Sequence, residues 1–191
     1  QRVDFADWPW ERRLAEARRL YTQAGYSQSN PLRTEIGFNT DRGHRQIAVA
    51  IQSMWREALG VEARLRNAEL KVHLSRLRER ADTEVFRASW VGDYADPNTF
   101  AALLTSGNPA NLTGYSNPQY DALVARAAVA ADPTQRLVAL QEAEQIMLQD
   151  APLLPIYFYV SKHLVRPRVV GFRSNVLDVH LSRHLALADA D

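Results

Sequence analysis

The stretch Thr34-Glu35-Ile36-Gly37-Phe38-Asn39, running on through Thr40-Asp41-Arg42-Gly43-His44, decides the fold. Its first half alternates polar and apolar residues, with Ile36 and Phe38 apolar, as a β-strand does. Its second half is a polar turn that opens into a helix. The apolar stripe of that helix is Ile47, Ile51, Met54, Trp55 and Ala58, and Gly60 ends it. A strand that passes through a polar turn into a helix is the repeating unit of an open α/β sheet.

Downstream the unit repeats. Val61, Ala63 and Leu65 alternate in a second strand. Leu70 to Arg80 reads as a helix with Leu70, Leu74 and Leu77 on one face, and Val85 to Trp90 as a short buried strand. The order β-α-β-α-β, with helices too long for hairpin turns, implies parallel strands joined by right-handed crossovers. The turns at His44 and at Asp93 then share the carboxyl edge of the sheet, where open α/β sheets bind ligands.

Upstream, residues 1–9 are irregular. A helix from Glu11 carries Leu14, Ala17, Leu20, Tyr21 and Ala24 and stops at Gly25. Beyond the third strand, Phe100 to Leu104 is a helical turn and Ser106 to Asn117 a loop rich in Gly, Asn and Pro. Helices span Pro118 to Ala131 and Pro133 to Leu148, the second with Asp132 as N-cap and Pro133 at its first position. Leu153 to Val160 reads as a strand, Lys162 to Phe172 as a basic, β-rich tail, and Ala186 to Asp191 as a frayed end.

At 191 residues the chain is long enough to bury about 70% of its unfolded surface in one domain, or one domain and an appendage. Lys+Arg 23 against Asp+Glu 22 gives a net charge of +1, so no electrostatic feature points to nucleic acid or an anionic membrane. The absence of cysteine excludes disulfides, thiol catalysis and Cys-based metal centres. No apolar run reaches the roughly 18–20 residues of a membrane span. No signal peptide is visible and Gln1 is not an initiator Met, which reads as a processed or excised segment.

The residues able to carry chemistry gather in Arg87-Ala-Ser-Trp90-Val-Gly-Asp93-Tyr94-Ala-Asp96-Pro97-Asn-Thr-Phe100. Asp96 reads as the cap of a helix starting near Pro97. Asp93, flanked by Trp90 and Tyr94, has no such structural duty and suits a cation or ammonium group. Arg87, in an apolar strand, requires a carboxylate from the protein or from a ligand, and spacing favours an internal salt bridge. Tyr157, Phe158 and Tyr159 form an aromatic run; alternation puts the two tyrosines on one face. Of the five histidines only His180 and His184 have i,i+4 spacing, without an HExxH pattern or a third ligand beside them, so no metal is expected. Nucleophile-elbow, P-loop and dinucleotide-binding patterns are absent.

With these residues in hand the chain resembles a family. Arg87-Ala-Ser-Trp90-x-x-Asp93-Tyr94-x-Asp96-Pro97-x-x-Phe100 is similar to the signature loop of the extracytoplasmic peptide-binding proteins of ABC importers, bacterial solute-binding family 5. Further stretches fit in order: Glu16-Ala-x-x-Leu20 with Ala24-Gly-Tyr26, Asn39-Thr with His44, Trp55 before Gly60-Val61, Asp121 to Val124, and Pro155-Ile-Tyr-Phe-Tyr159 with Leu164-Val-x-Pro167. The likeness covers nearly the whole chain and is greatest to the oligopeptide-binding branch.

The resemblance implies an α/β fold: a periplasmic-binding-protein type II lobe with a mixed, largely parallel sheet flanked by helices. Residues 1–160 would be the second ligand-binding lobe, and residues 161–191 a segment returning to a first, N-terminal lobe. It implies a periplasmic, non-enzymatic component of peptide uptake with no cofactor. Its partners would be the peptide, inner-membrane ABC permease subunits and the missing lobe of the same protein. By motif, Asp93 resembles the carboxylate that binds the peptide α-ammonium group, shielded by Trp90 and Tyr94. Arg87 and His44 resemble partners of the peptide carboxylate, and Tyr159 a pocket aromatic. The readings left open are another small solute (a dipeptide, a murein peptide, a nickel chelate), a stand-alone interaction domain, and a hydrolase using Asp93 and Asp96.

Overall fold

The computed structural model describes residues 1–80 and 84–188, which form two compact units. The first comprises residues 1–89 and 109–114, the second residues 90–108 and 115–191.

In the first unit, helix α1 (Trp10–Gln23) precedes strand β1 (Arg33–Asn39), helix α2 (Arg42–Leu59), strand β2 (Glu62–Ala68), helix α3 (Leu70–Arg78) and strand β3 (Val85–Phe86). The sheet order is β2-β1-β3, with both pairings parallel, so β1 is central. Arg33 stands opposite Glu62 at one end of the β1–β2 ladder, and Asn39 opposite Ala68 at the other. Ile36 and Phe38 bury against Ala48, Ile51 and Trp55 of α2, with Ala63, Leu65 and Val85 completing the layer. Met54, expected in that stripe, is exposed: the helix turns Ala48 rather than Met54 toward the sheet. The Asp41 side chain accepts the His44 N–H at the start of α2. Gly60 closes the helix at φ +77°, a left-handed position that a side chain would strain.

The alternation in β1 is only half of its environment. Glu35 points away from Ile36 and Phe38 yet is 7% exposed. Arg64 of β2 donates to its carboxylate at 2.6 Å, and Arg66 donates to the second oxygen. Burial alone would raise the Glu35 pKa, but the two guanidinium groups outweigh it and hold the carboxyl below its ordinary value. In α3 the buried residues are His73 and Leu77, while Leu70, expected in the stripe, is exposed.

The third strand departs from expectation. Only Val85 and Phe86 pair with β1, followed by one further bond from Arg87 N–H to Gly37 O at 2.8 Å. Residues 88–90 are exposed rather than buried, because β3 is an edge strand with no ladder beyond Arg87 among the described residues.

The second unit is built on two helices, α5 (Pro118–Val129) and α6 (Pro133–Asp150), beside the short helix α4 (Asn98–Ala101) and a 3₁₀ turn at Ala102–Leu104. Ala127, Ala139 and Ala143 are fully buried, which lets α5 and α6 approach closely. Leu104, Tyr120, Leu123 and Val124 fill the adjoining core. Asn117 and Asp132 cap the two helices through their side chains, each ahead of a proline.

Leu153 to Val160, expected as a strand, forms none. It finds no neighbour to complete a ladder, and Phe158 is 98% exposed. Of the basic tail only β4 (Val169–Val170) is a strand, pairing antiparallel with β5 (Ala186–Leu187). That pairing includes the start of the end expected to fray; residues 189–191 lie outside the described residues, as do residues 81–83 of the charged segment after α3. Among the described residues no helix is long and apolar enough to cross a membrane.

Candidate functional site

His44 and Arg87 lie at the carboxyl end of the parallel sheet of the first unit, and Asp41 is the residue they share. Asp41 Oδ1 accepts the His44 N–H at 3.0 Å and stands 3.9 Å from His44 Nε2. That amide hydrogen bond first, then the Gly43 amide and the charges of His44 and Arg87, hold the Asp41 carboxyl below its ordinary value against partial burial. The His44 ring is buried, and its Nδ1 has no hydrogen-bond partner among the described residues. A buried nitrogen in that state is costly unless something else supplies its partner.

Arg87 is placed by its main chain. Its N–H donates to Gly37 O, and its carbonyl accepts from Nε2 of the buried His73 at 3.1 Å. The carbonyl can only accept, so Nε2 carries the hydrogen. The internal salt bridge expected for Arg87 is not formed: its guanidinium has no hydrogen bond or ion pair among the described residues. A strand-end arginine, half-buried and without a carboxylate, is equipped to bind an anionic group.

The other loop residues belong to the second unit. At Gly92 the backbone passes close to α4: a Cβ there would stand 3.2 Å from the Thr99 methyl. That close approach lets the Asp93 N–H donate to Thr99 Oγ1 at 3.0 Å, with Thr99 itself buried. The two carboxylates then have opposite fates. Asp96 accepts the Asn98 N–H at 2.8 Å, as a helix cap, and is held in a bidentate pair by Arg136 at 2.7 and 2.9 Å. Those bonds, the Arg136 one first, lower its pKa. Asp93 is exposed, and among the described residues its carboxylate is approached only by the Thr99 hydroxyl at 3.5 Å. Trp90 and Tyr94 flank it in the chain with half-exposed rings, and Asn98 Nδ2 donates to the Tyr94 hydroxyl at 3.1 Å. The loop is therefore internally braced while one carboxylate is left for a partner.

Tyr159 lies on the extended exposed segment. Its ring packs against that of Tyr157 with centroids 5.8 Å apart, which agrees with the expectation that both share a face. Sequence reasoning missed His73, Glu35 and Arg136. The Glu35 pair had a visible signal, two arginines at alternate positions of the adjacent strand. The Asp96–Arg136 pair, forty residues apart, had none.

The geometry now has a family context. The family model for bacterial extracellular solute-binding proteins, family 5 Middle, matches residues 3–111. The chain belongs to that family. It is thereby an extracytoplasmic protein, and family members are binding proteins rather than enzymes. The periplasmic murein peptide-binding protein MppA of Escherichia coli is 38% identical over 180 residues, covering 94% of this chain and 33% of MppA. The probable deoxycholate-binding periplasmic protein YgiS of E. coli is 39% identical over 164 residues, covering 86% of this chain and 30% of YgiS. The crystal structure of Haemophilus influenzae OppA in complex with the peptide RPPGFSPFR superposes with a TM-score of 0.89 at 34% identity, covering 99% of this chain and 37% of that one. The chain spans about a third of the length of the curated relatives it matches.

Proposed function

We propose that the chain is the C-terminal ligand-binding lobe of a peptide-capturing component of an ABC importer. Asp93 takes the peptide α-ammonium group, and Arg87 and His44 are the partners for its carboxylate. Trp90 and Tyr94 shield the ammonium–carboxylate pair, and Tyr159 offers a ring and a hydroxyl to the ligand. Residues 1–160 form the lobe, and residues 161–191 return to a first lobe outside these residues; inner-membrane permease subunits receive the peptide. The observation that carries this reading is the contrast between Asp96, consumed by Arg136, and Asp93, left free on a loop braced from within. Charge-assisted bonds to such a carboxylate are worth about 1.5–3 kcal/mol each. Terminal recognition tolerates any sequence, because it leaves side chains to roomy pockets. The exposed run Leu154, Ile156, Phe158, Val160 and Leu164 supports a larger protein that covers it, since soluble proteins seldom leave such runs bare.

The same contrast argues against hydrolysis. A carboxylate locked to an arginine with a lowered pKa is a poor proton donor near neutral pH, which weighs against Asp96 as a general acid.

The test is calorimetry on the two-lobed protein. Asp93→Asn is expected to cost roughly 2–5 kcal/mol of peptide affinity, as for truncating a buried charge pair. N-acetylated peptides should bind correspondingly worse than free ones, and the isolated chain should bind peptide very weakly. Unchanged affinity in Asp93→Asn, or submicromolar binding by the isolated chain, would overturn the assignment. The likeness to YgiS favours one alternative, a carboxylate-bearing apolar solute. Such a ligand would depend on Arg87 and be indifferent to Asp93.

A further inference from the structure

A second cluster, of side chains given no role above, lies in the C-terminal part of the second unit. His163 Nε2 stands 2.7 Å and His180 Nε2 3.0 Å from the same oxygen, Oδ1 of Asp178. One ligand atom from each of the three residues lies within 4.8 Å of the others. Spacing along the chain had singled out His180 with His184. The fold replaces His184 by His163, seventeen residues from its partner, and adds a carboxylate.

We propose that His163, Asp178 and His180 form a binding site for a first-row divalent transition ion of the zinc class. Two imidazoles and a carboxylate are a donor set that such ions accept, with a further position open to water. Bonds of about 2.0–2.1 Å to a tetrahedral ion place ligand atoms about 3.4 Å apart. The two nitrogens therefore need to withdraw from Oδ1 by well under 1 Å for an ion to take the place of the two Nε2 hydrogens, each ring then carrying its hydrogen on Nδ1.

The surroundings fix the ligands in place. The His180 ring stacks on Phe172 with centroids 4.1 Å apart at 24°, and the His163 ring meets His180 edge-on at 4.9 Å. Asn175 bonds both the N–H and the carbonyl of Val179, at 3.1 and 2.9 Å, and its own carbonyl accepts the Asp178 N–H. That turn holds Asp178 at φ +55°, a left-handed position that a non-glycine residue keeps only when its neighbours enforce it. Hydrogen bonds from Ser161, His180 and His163 bring the Asp178 carboxyl down to about 2, so it is an anion at any pH where the imidazoles are neutral.

An ion here would tie residues 161–163 to residues 178–180, in a region whose regular structure among the described residues is limited to the two-residue strands β4 and β5 and a 3₁₀ turn at Ser182–His184. It would act on folding as well as binding.

The experiment is titration of the purified, tag-free protein with ZnCl2 by calorimetry, with thermal unfolding followed in parallel. One ion per chain and a raised Tm are expected. His163→Gln with His180→Gln should weaken binding by more than roughly 100-fold, since outer-shell partners alone account for about 10–100-fold. His184→Gln should change nothing. The double variant keeps hydrogen-bonding capacity at both positions, and its Tm without zinc shows that it folds. No zinc uptake by the unsubstituted protein, or uptake equally strong in the folded double variant, would overturn the proposal.

Discussion

Residues 33–39 and residues 153–160 both read as strands from the sequence, and their environments are opposite. β1 is central: it has a strand on each side, α2 over Ile36 and Phe38, and two arginines on Glu35. Leu153 to Val160 has none of these, and its apolar side chains stand in solvent. The difference teaches that a strand is a property of its neighbours. A β-prone segment without a ladder keeps an extended backbone with no paired amides.

The comparison breaks most sharply at Phe38. Phe38→Ala removes a ring packed on all sides and should destabilise the protein by about 3–5 kcal/mol in urea unfolding. Glu35→Gln comes next, at about 1.5–3 kcal/mol, the scale of hydrogen bonds to charged groups. Its pH dependence follows from the lowered pKa. The contribution of Glu35 is complete above the ordinary carboxyl value of 4.5 and is lost as pH falls through the lower folded value, so the variant should show a flatter acid limb.

Asp96→Asn should cost about 0.5–1 kcal/mol, because the Arg136 pair is roughly a third exposed and screened by solvent. The Asp96 contribution likewise fades only below its ordinary value of 3.8. Smallest is Phe158→Ser, expected within about ±0.5 kcal/mol in this chain, as for an exposed position. A large cost there would mean that the segment is packed in solution and would erase the contrast with β1.

The same logic explains what the sequence made legible. Local signals were read correctly: the Asp132-Pro133 cap, the Gly60 stop, and the alternation of Ile36 and Phe38 that led to a parallel β-α-β-α-β order. Nonlocal ones were not. Alternation put Glu35 on a polar face, and only the register of β1 against β2 shows that Arg64 and Arg66 bury it. Val85 to Trp90 was read as a full strand because its composition suits one, yet pairing stops at Arg87. In the loop, capping chemistry identified Asp96, but its arginine lies on another helix and no spacing rule reaches it. His163 and His180 converge for the same reason, through a turn that local periodicity cannot see.

Arg87 has a consequence for how this site can change over generations. Its backbone is fastened by Gly37 and His73, while its guanidinium makes no hydrogen bond or ion pair among the described residues and acts on the fold only through its charge on Asp41. Position 87 therefore behaves as an interchangeable socket. A substitution there alters what charge is offered at the sheet edge while the strand that offers it stays seated. Under the proposed role of Arg87 in binding a carboxylate, recognition can drift toward a different solute without first passing through a misfolded intermediate. His73, which holds the socket, is the residue that cannot be exchanged so freely.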